Sequence, residues 1–394
     1  MSQSSRVLVV GGGIGGLTAA VALSRAGREV TVLERARSLA PVGAAISLAP
    51  NALSALDVIG VGDEVRALAA WQGEGGMRTP AGRWLARTDV AAVTERFGDP
   101  LVLLPRAALV DILTARLPEG VIRTACPAAL ADPGDADRPA RVTTPDGDLT
   151  ADLVVAADGI HSRVRAALFP EHPGTVYSGF TTWRLMIPVP GARFASHETW
   201  GRGRLWGTHP LQDGRVYAYA AALTPAGGRA ADDERAELRR LFGDWHEPIP
   251  SVIAAARPED VLRHDVHHIR RPLPAHHRGR VALVGDAAHA MPPSLGQGGN
   301  QAVEDAVVLA HHLDDLPAYT AARLPRTSAL VRKAVGAGRL SMLRNRPAVA
   351  LRNTVVTAVS RTGPAFFLRG FEGIADWRPP QDAELRGSSR SPSR

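Results

Sequence analysis

A glycine-rich loop near the start of the chain limits the possible folds more than any other stretch. The short apolar run Arg6–Val10 is typical of a buried parallel strand, and it leads directly into the sequence GGGIGG at Gly11–Gly16. A helix is predicted over Ile14–Ala26, and a second strand over Glu29–Leu33 ends at the acid Glu34. A strand, G-x-G-x-x-G, a helix and an acid about 20 residues on form the pattern of a dinucleotide-binding fold. The sequence therefore predicts a parallel α/β sheet that holds a dinucleotide at its edge.

The glycines of this loop have distinct physical roles. We expect Gly11 to make the tight turn, Gly13 to let a pyrophosphate approach the backbone, and Gly16 to pack the helix against the strand. Glu34 is expected to accept hydrogen bonds from the hydroxyls of an adenosine ribose. The loop residues predicted to bind the cofactor are Gly11, Gly13, Ile14, Gly15 and Gly16.

A second unit of the same kind lies far along the chain. Val281–Val284 is predicted to be a buried strand, Gly285-Asp286 follows it, and a loop rich in proline and glycine leads into a helix over about Gln301–His312. Glycines allow a large flat group to approach the backbone, and a helix N-terminus attracts negative charge, by about 0.3–1 kcal/mol. The predicted cofactor contacts in this unit are Asp286, Gly296, Gly298, Gly299 and Asn300.

Three further positions are predicted to extend the same site. Ala45 belongs to the glycine-alanine segment Gly43–Leu48, which indicates a cofactor that continues beyond its pyrophosphate. Arg106 stands just before a predicted helix and is a candidate for a phosphate or ribityl contact; the alternative is a solvated arginine at a helix start. Asp158 follows the predicted strand Asp152–Ala156, at the strand end where open α/β sheets hold ligands.

The middle of the chain has a different pattern. Between His172 and His277 the sequence alternates apolar and polar residues and carries aromatic side chains, most clearly in Gly179–Val189, Glu198–Thr208 and Arg215–Leu223. This pattern predicts an antiparallel sheet, with one helix over about Asp232–Phe242. We interpret the region as an inserted substrate-binding domain.

The predicted fold is therefore α/β: a Rossmann-like fold with a parallel sheet, an inserted antiparallel-sheet domain and C-terminal helices. Further hairpins are predicted in Ala69–Asp99, and further helices in Ala329–Arg344 and Leu351–Ser360. The predicted boundaries are 1–70, 101–171 and 278–345 for the discontinuous cofactor-binding domain, 71–100 and 172–277 for the substrate domain, 346–383 for a C-terminal helical segment, and 384–394 for a disordered tail.

Charge and composition argue against several classes of partner. The formal charge is +7, but the basic residues are almost all scattered arginines interleaved with acids, so we expect no nucleic-acid partner. No apolar run reaches the ~18–20 residues that a spanning helix needs, so we expect no stable membrane insertion. The N-terminus lacks the pattern of a signal peptide, and the single cysteine, Cys126, excludes an internal disulfide; both fit a cytoplasmic protein.

Metal binding is not expected either. The pairs His267-His268 and His276-His277 are adjacent residues, and neighbours on a strand point to opposite faces. No cluster of cysteines or carboxylates completes a site around them. We interpret His289, within the Asp286 segment, as structural.

Three signatures now stand in order: the first glycine loop with Glu34, Asp158-Gly159 with Ser162-Arg163, and Gly285-Asp286 with the loop Pro292–Asn300. This set resembles the single-component flavoprotein aromatic hydroxylases, in particular the salicylate-hydroxylase-like branch, over about residues 5–380. The resemblance implies FAD as cofactor, NAD(P)H as reductant, O2 as co-substrate, and a flavin C4a-hydroperoxide as the hydroxylating agent. The middle signature is linked in that family with both FAD and NAD(P)H.

The resemblance also implies individual roles. Glu34 and Arg35 would hold the adenosine end, and Arg106 would contact the region of the ribityl chain and pyrophosphate. Asp286 would bind the ribityl or pyrophosphate part, and Gly296–Asn300 would lie against the isoalloxazine ring.

Several residues are candidates for a catalytic role on the substrate side. His209 is the predicted base that removes a phenolic proton, the alternative being a histidine at a strand end. Tyr217 and Tyr219 share one face of a strand, so either hydroxyl orients the substrate or both rings belong to the core. Arg184 either pairs with a substrate carboxylate or braces the sheet. Pro292, with Pro293, is expected to form a stiff wall over the flavin ring.

The predicted function is an NAD(P)H-dependent FAD monooxygenase that hydroxylates an aromatic or polycyclic small molecule with O2. Epoxidation and Baeyer–Villiger insertion remain open within the same cofactor class, because the flavin motifs do not separate these reactions. From another class, an FAD-dependent reductase or dehydrogenase without oxygen insertion also remains open. We expect a monomer or a homodimer.

Overall fold

The computed structural model describes residues 5–39, 45–69, 74–189, 194–361 and 370–380. Its strands are β1 Arg6–Val10, β2 Glu29–Leu33, β3 Ala45–Leu48, β4 Glu74–Arg78, β5 Trp84–Asp89, β6 Val102–Pro105, β7 Ile122–Arg123, β8 Ala129–Asp132, β9 Ala140–Thr144, β10 Gly147–Ala151, β11 Leu153–Ala156, β12 Thr175–Pro188, β13 His197–Trp200, β14 Arg204–Pro210, β15 Arg215–Ala222, β16 Leu262–Ile269, β17 His277–Arg278 and β18 Val281–Leu283.

The helices complete the list of elements. They are α1 Ile14–Arg25, α2 Pro50–Val58, α3 Gly62–Arg66, α4 Val90–Phe97, α5 Arg106–Thr114, α6 Arg163–Leu168, α7 Glu234–Phe242, α8 Ile249–Ala255, α9 Asp286–His289, α10 Gly298–His311, α11 Leu316–Ser341 and α12 Arg346–Ser360, with 3₁₀ turns at Pro258–Asp260 and Pro293–Leu295.

A six-stranded sheet in the order β17-β18-β11-β1-β2-β7 forms the centre of one half of the fold. It is parallel from β18 to β7, and only β17 runs antiparallel. On β1, Val7 and Val9 pack into the core on one face, whereas Leu8 and Val10 pack into the core on the other. A strand that is buried on both faces needs a continuous apolar run, which explains why the sequence shows no alternation here. The predicted Rossmann-like α/β fold is confirmed.

Helices α1 and α10 cross closely on one face of this sheet. A Cβ on Gly15 would lie 3.1 Å from the Cβ of Ala302, so small residues let the two helices approach each other. On the other face, α6 and the three-stranded sheet β10-β9-β8 cover the strands. The two-stranded pair β3-β6 places Ala45 opposite Pro105, next to Arg106.

A seven-stranded sheet in the order β16-β12-β15-β14-β13-β4-β5 forms the second half. Its pairs are antiparallel except for β13 with β4, which run parallel. One face carries Trp183, Trp206 and a row of small apolar residues, and it packs against α7 and α8. The opposite face carries Arg184, Tyr217 and their neighbours across the strands, and we call it the pocket face.

Several local predictions were wrong in detail. The alternating segment Glu198–Thr208 contains parts of two strands, because Gly203 turns the chain with a φ of +66° between β13 and β14. The sequence predicted one helix in this region, but α8 follows α7; the apolar side of α8 covers the sheet and is too short to show a clear period. Residues 69–99 contain the predicted hairpin β4-β5 and also the unpredicted helix α4.

The C-terminal helices begin earlier than predicted. Helix α11 starts at Leu316, whereas the predicted helix starts at Ala329. It continues through Pro325, although proline usually ends or kinks a helix. Helix α12 begins at Arg346, where Asn345 caps it, and not at Leu351. The predicted disordered tail, 384–394, lies outside the described residues, as do Gly43 and Ala44 of the glycine-alanine segment. In the described part of the chain, no helix is long and apolar enough to cross a bilayer.

Candidate active site

The first glycine loop has the backbone geometry that its sequence requires. Gly11 has a φ of +110°, and a Cβ there would lie 2.4 Å from the carbonyl oxygen of Ala157 at the end of β11. A Cβ on Gly16 would lie 2.0 Å from the oxygen of Gly11, so this position also excludes a side chain. At Gly13 the nearest atom to an added Cβ is Nη2 of Arg106, at 3.7 Å. The loop is therefore closed on its inner side and open where Arg106 reaches over it.

The acid after β2 braces this loop. Glu34 accepts hydrogen bonds from the backbone N–H of Gly12 through Oε2 at 2.6 Å and from that of Ala36 through Oε1 at 2.7 Å. Each carboxylate oxygen has a further lone pair. The carboxylate of Glu34 thus fixes the loop and keeps the capacity to accept further hydrogen bonds, as the predicted ribose contact requires. Arg35, beside it, is exposed.

The end of β11 provides a second acid at this edge. Asp158 accepts a hydrogen bond from the backbone N–H of Val164 at 3.1 Å through Oδ2, while its buried Oδ1 has no partner among the described residues. Arg165 lies below it and donates to the carbonyl oxygens of Ile160 at 2.8 Å and Ala287 at 3.0 Å. Arg165, which the sequence analysis did not single out, therefore joins the Asp158 segment to the Asp286 segment.

The end of β18 places Asp286 in the same cleft. Its carboxyl is accessible to solvent, yet burial among the surrounding atoms raises its pKa, against the opposing charges of His289, Arg106 and Arg184. The side chain of Arg106 is likewise accessible, and desolvation lowers its pKa against the attraction of Asp286. Both side chains can be reached by solvent although protein atoms surround them closely, as expected for groups that line a deep cleft. Arg106 and Asp286, separated by 180 positions in the sequence, thus meet in space.

Helix α10 starts at this cleft, at Gly298. Asn300, near its N-terminus, accepts a hydrogen bond from the backbone N–H of Ala49 at 2.7 Å and donates to the carbonyl oxygens of Ser47 at 2.9 Å and Gly296 at 2.7 Å. The Asn300 side chain therefore connects the loop before α10 to strand β3 through hydrogen bonds. A Cβ on Gly299 would lie 2.6 Å from Cδ1 of Ile46, so a larger residue there would have to displace the end of that side chain.

A buried ion network supports this loop from behind, and the sequence analysis did not predict it. Asp305 accepts from the backbone N–H of Gly285 at 2.8 Å and from Nε of Arg323 at 2.6 Å, and it pairs with Nε2 of His289 at 2.5 Å. Burial alone raises the pKa of Asp305, but the charges of His289 and Arg323 outweigh it and hold the pKa below its ordinary value. Arg323 also pairs with Glu304 at 2.6 Å. His289 therefore occupies a structural position.

The pocket face brings the predicted substrate residues together. Across the strands Met186 lies opposite Tyr217, and Tyr217 lies opposite His209. The ring of His209 stacks near Tyr217 at a centroid distance of 6.4 Å and near Tyr219 at 5.5 Å. Tyr217 also packs against Leu103 of β6, so this face meets the cofactor half of the fold.

The electrostatics of the pocket face refine two predictions. Desolvation lowers the pKa of His209 to about 4, with a smaller contribution from His197. The imidazole is therefore neutral at neutral pH and available to accept a hydrogen bond. The charge of Arg184 affects the pKa values of Asp286, Arg106 and Tyr217, and also that of His264, so Arg184 lies near enough to the cofactor edge to act on its charged groups. It has no hydrogen-bond partner among the described residues.

Pro292 is buried between α9 and the turn that precedes α10, with Pro293 exposed beside it. This turn leads to Gly296, which has a φ of +64°.

Glu198, on the pocket face, was not identified from the sequence; it accepts a hydrogen bond from the hydroxyl of Tyr219 at 2.9 Å. In the sequence, the only indication of Glu198 was its position in the alternating pattern of β13.

The residues at the cofactor edge fit a flavin dinucleotide. The loop at Gly13 is open to a pyrophosphate, Oδ1 of Asp158 lacks a partner, and Arg106 and Asp286 face a cleft that continues to the N-terminus of α10. A family model with the description "FAD binding domain" matches residues 4–333. The chain belongs to this family.

Relatives and solved structures agree with this assignment. The aurachin C monooxygenase/isomerase of Stigmatella aurantiaca is 37% identical over 371 residues, which cover 91% of this chain and 96% of that protein. The FAD-dependent urate hydroxylase of Klebsiella pneumoniae is 33% identical over 347 residues, covering 84% of this chain and 88% of that protein. A crystal structure of a Klebsiella pneumoniae HpxO variant complexed with FAD superimposes with a TM-score of 0.85 at 29% identity, covering 94% of this chain and 98% of that one.

The predicted resemblance to flavoprotein aromatic hydroxylases is therefore confirmed. The protein is an FAD-dependent monooxygenase, with FAD as cofactor and NAD(P)H as co-substrate. In the parts of the chain that the structure describes, no group of three or more His, Cys, Asp or Glu side chains is placed to hold a metal ion.

Proposed function

We propose that this monooxygenase hydroxylates an aromatic or polycyclic small molecule, using NAD(P)H and O2. The observation that carries the proposal is the meeting of two surfaces: the cofactor edge, with Arg106 and Asp286, and the pocket face, with Arg184, Tyr217 and His209. When bound, the reduced flavin supplies the activated oxygen. The relatives named as an aurachin C monooxygenase and a urate hydroxylase support this reaction type.

We propose that the chain binds FAD through the ends of its parallel strands. Gly11, Gly13 and Gly16, with Ile14 and Gly15, would shape the pyrophosphate loop, and Glu34 and Arg35 would hold the adenosine. Arg106, Asp158 and Asp286 would contact the central part of the cofactor. Ala45, Gly296, Gly298, Gly299 and Asn300 would line the ring, where the N-terminus of α10 favours negative charge by about 0.3–1 kcal/mol.

On the substrate side we propose three polar roles. His209, neutral at pH 7 because its pKa is lowered to about 4, would accept a hydrogen bond from the phenolic hydroxyl as the ring becomes electron-rich. Arg184 would stabilise the negative charge that develops on the substrate, and Tyr217 would orient it. Pro292 would form a wall without hydrogen-bond donors, which helps to exclude water from the pocket.

The first experiment records the visible spectrum of the purified protein and follows NAD(P)H oxidation over a panel of phenolic and polycyclic aromatic compounds, with mass analysis of the products. A flavin spectrum, oxidation stimulated by a substrate and a hydroxylated product heavier by one oxygen atom support the proposal. An epoxide, lactone or ester product would instead identify epoxidation or Baeyer–Villiger insertion. Oxidation that yields only peroxide across the whole panel favours the reductase alternative.

The division into a discontinuous FAD-binding domain, an inserted substrate domain and a C-terminal helical segment stays a prediction. So do the cytoplasmic location and the monomeric or homodimeric state. Size-exclusion chromatography with light scattering would measure the last of these directly.

A further inference from the structure

A row of four residues crosses the pocket face from one strand to the next. Arg184 of β12 lies opposite Tyr219 of β15, and Tyr219 lies opposite Gly207 of β14. Gly207 in turn lies opposite Glu198 of β13. Side chains in register on neighbouring strands point to the same face. Glu198 therefore belongs to the same surface as Arg184, although it is two strands away from Tyr219.

The glycine in this row lets the tyrosine reach the carboxyl group. A Cβ on Gly207 would lie 2.3 Å from Cζ of Tyr219, so the tyrosine ring lies flat over β14 in the space that a side chain would fill. Its hydroxyl donates a hydrogen bond to Oε1 of Glu198 at 2.9 Å. The indole N–H of Trp200 donates to Oε2 of the same carboxyl group. An indole N–H can only donate, so Oε2 of Glu198 is an acceptor for Trp200, and Oε1 is the acceptor for Tyr219.

The direction of the bond between Tyr219 and Glu198 follows from its surroundings. Burial raises the pKa of Tyr219 well above its ordinary value, and the charge of Glu198 raises it further, so the phenol keeps its proton. A phenol has one proton to donate and two lone pairs that accept. Because the only proton of Tyr219 is committed to Glu198, its oxygen can meet a ligand only as an acceptor.

Both side chains also border open space. Glu198 and Tyr219 keep part of their surface accessible, although burial raises the pKa of each, as expected for groups that line an internal cavity. Tyr219 stacks on His209 and packs near Tyr217 and Leu103, so the pair stands at the predicted substrate site. His209 is a neutral imidazole there.

We propose that Glu198 fixes Tyr219 as a hydrogen-bond acceptor and thereby selects aromatic substrates that present an N–H or O–H group at this end of the pocket. Glu198 acts through Tyr219 and is a specificity-determining residue, whereas Tyr219 contacts the substrate. The inference rests on the proposed function only in taking the pocket face as the substrate site.

The test measures binding to the FAD-loaded protein, without turnover. The probes are two isosteric pairs in which a ring N–H is replaced by a ring oxygen: indole with benzofuran, and 4-quinolone with chromone. Titrations by calorimetry and by the perturbation of the flavin spectrum give Kd for each compound. In the wild-type protein we expect the N–H member of at least one pair to bind about tenfold more tightly or better, as one buried hydrogen bond implies.

Glu198→Gln should reverse this preference. The glutamine has one carbonyl oxygen and one NH2 group, and Trp200 requires the oxygen, so the NH2 group faces Tyr219. The tyrosine then accepts from the glutamine and turns its own proton to the ligand, which favours the ring-oxygen member of the pair. Tyr219→Phe should abolish the preference without reversing it. Glu259→Gln, at an exposed glutamate, should leave the ratio unchanged.

Each outcome decides the proposal. Equal affinities within both pairs in the wild-type protein, no binding of any of the four probes, or an unchanged ratio in Glu198→Gln would overturn it. If Glu198→Gln loses FAD, Tyr219→Phe decides alone: a ratio near one supports the proposal and the wild-type ratio overturns it. A preference for the N–H member of a pair without any oxygenated product would contradict the proposed function and support this inference. An oxygenated product without such a preference would support the proposed function and overturn this inference.

Discussion

The cofactor edge and the pocket face are built on different principles. The cofactor edge consists of the residues that follow β1, β2, β11 and β18, and its geometry depends on glycines, strand ends and one helix N-terminus. The pocket face consists of side chains that meet across β12, β15, β14 and β13. The cofactor edge is therefore formed by short continuous sequence motifs, whereas the pocket face is formed by single residues from four separate strands.

The two regions are also stabilised differently. Behind the cofactor edge, Asp305, Glu304, Arg323 and His289 form a fully buried ion network that holds the backbone of Gly285. On the pocket face, aromatic stacking and single hydrogen bonds hold the side chains. Changes at the edge should thus affect folding and FAD, whereas changes on the face should affect the substrate and leave FAD bound.

The largest effect is expected from Arg323→Met. Removing this guanidinium takes one cation away from two buried carboxylates and leaves Asp305 with His289 and Glu304 with Arg326, which should lower the free energy of unfolding by about 3–5 kcal/mol. Urea unfolding measures the change, and the flavin spectrum shows whether FAD is lost with it. The matched control is Arg240→Met, which removes an exposed ion pair and should change stability little. Equal effects of the two variants would contradict the role of the buried network.

His209→Ala tests the other region and should affect the reaction alone. We expect the protein to retain FAD, because His209 lies on the pocket face, and the rate of product formation to fall by about 10²-fold through loss of the hydrogen-bond acceptor. Product formation is followed by mass analysis under single-turnover conditions. Unchanged turnover would remove His209 from the mechanism, and loss of FAD would show that the two regions are not separable.

Asp286→Ala should weaken FAD binding by about 10–100-fold, because it removes a carboxylate that faces the cleft beside Arg106. The ratio of flavin to protein after gel filtration, and the Kd for added FAD, measure the loss. Asp314→Ala serves as the control at an exposed aspartate. A variant that stays fully yellow with an unchanged Kd would exclude Asp286 from cofactor binding.

The effect that is smallest near neutral pH is a dependence of stability on pH, which grows as the solution becomes acidic. Burial lowers the pKa of His276 to about 3, below its ordinary value of about 6.5. Between these values the unfolded chain binds a proton that the folded chain does not, so stability should fall as the pH drops from about 6.5 toward 3. His276→Gln should flatten this slope in urea unfolding at pH 7, 5.5 and 4. An equally steep slope in the variant would show that other groups dominate.

Much of the fold was predictable because its signals are local. The parallel strands, the glycine loop and the strand-end residues Glu34, Asp158 and Asp286 were identified from periodicity and spacing, which depend on nearby residues. The secondary-structure predictions were wrong where tertiary packing outweighed a local sequence rule. Helix α11 continues through Pro325 because α11 packs against the turn before α10 and against β17, and this packing outweighs the cost of the proline.

The sequence by itself determined that the chain has a dinucleotide-binding edge. The conformation of Gly11, with a φ of +110°, and the position of an acid at a strand end depend only on residues nearby in the sequence. Only the tertiary structure decided that Arg165 joins two motifs, that Arg323 neutralises Asp305, and that Glu198 meets Tyr219 over a glycine. These contacts join residues that are distant along the chain, and the sheet register that brings them together is set by the packing of the whole core.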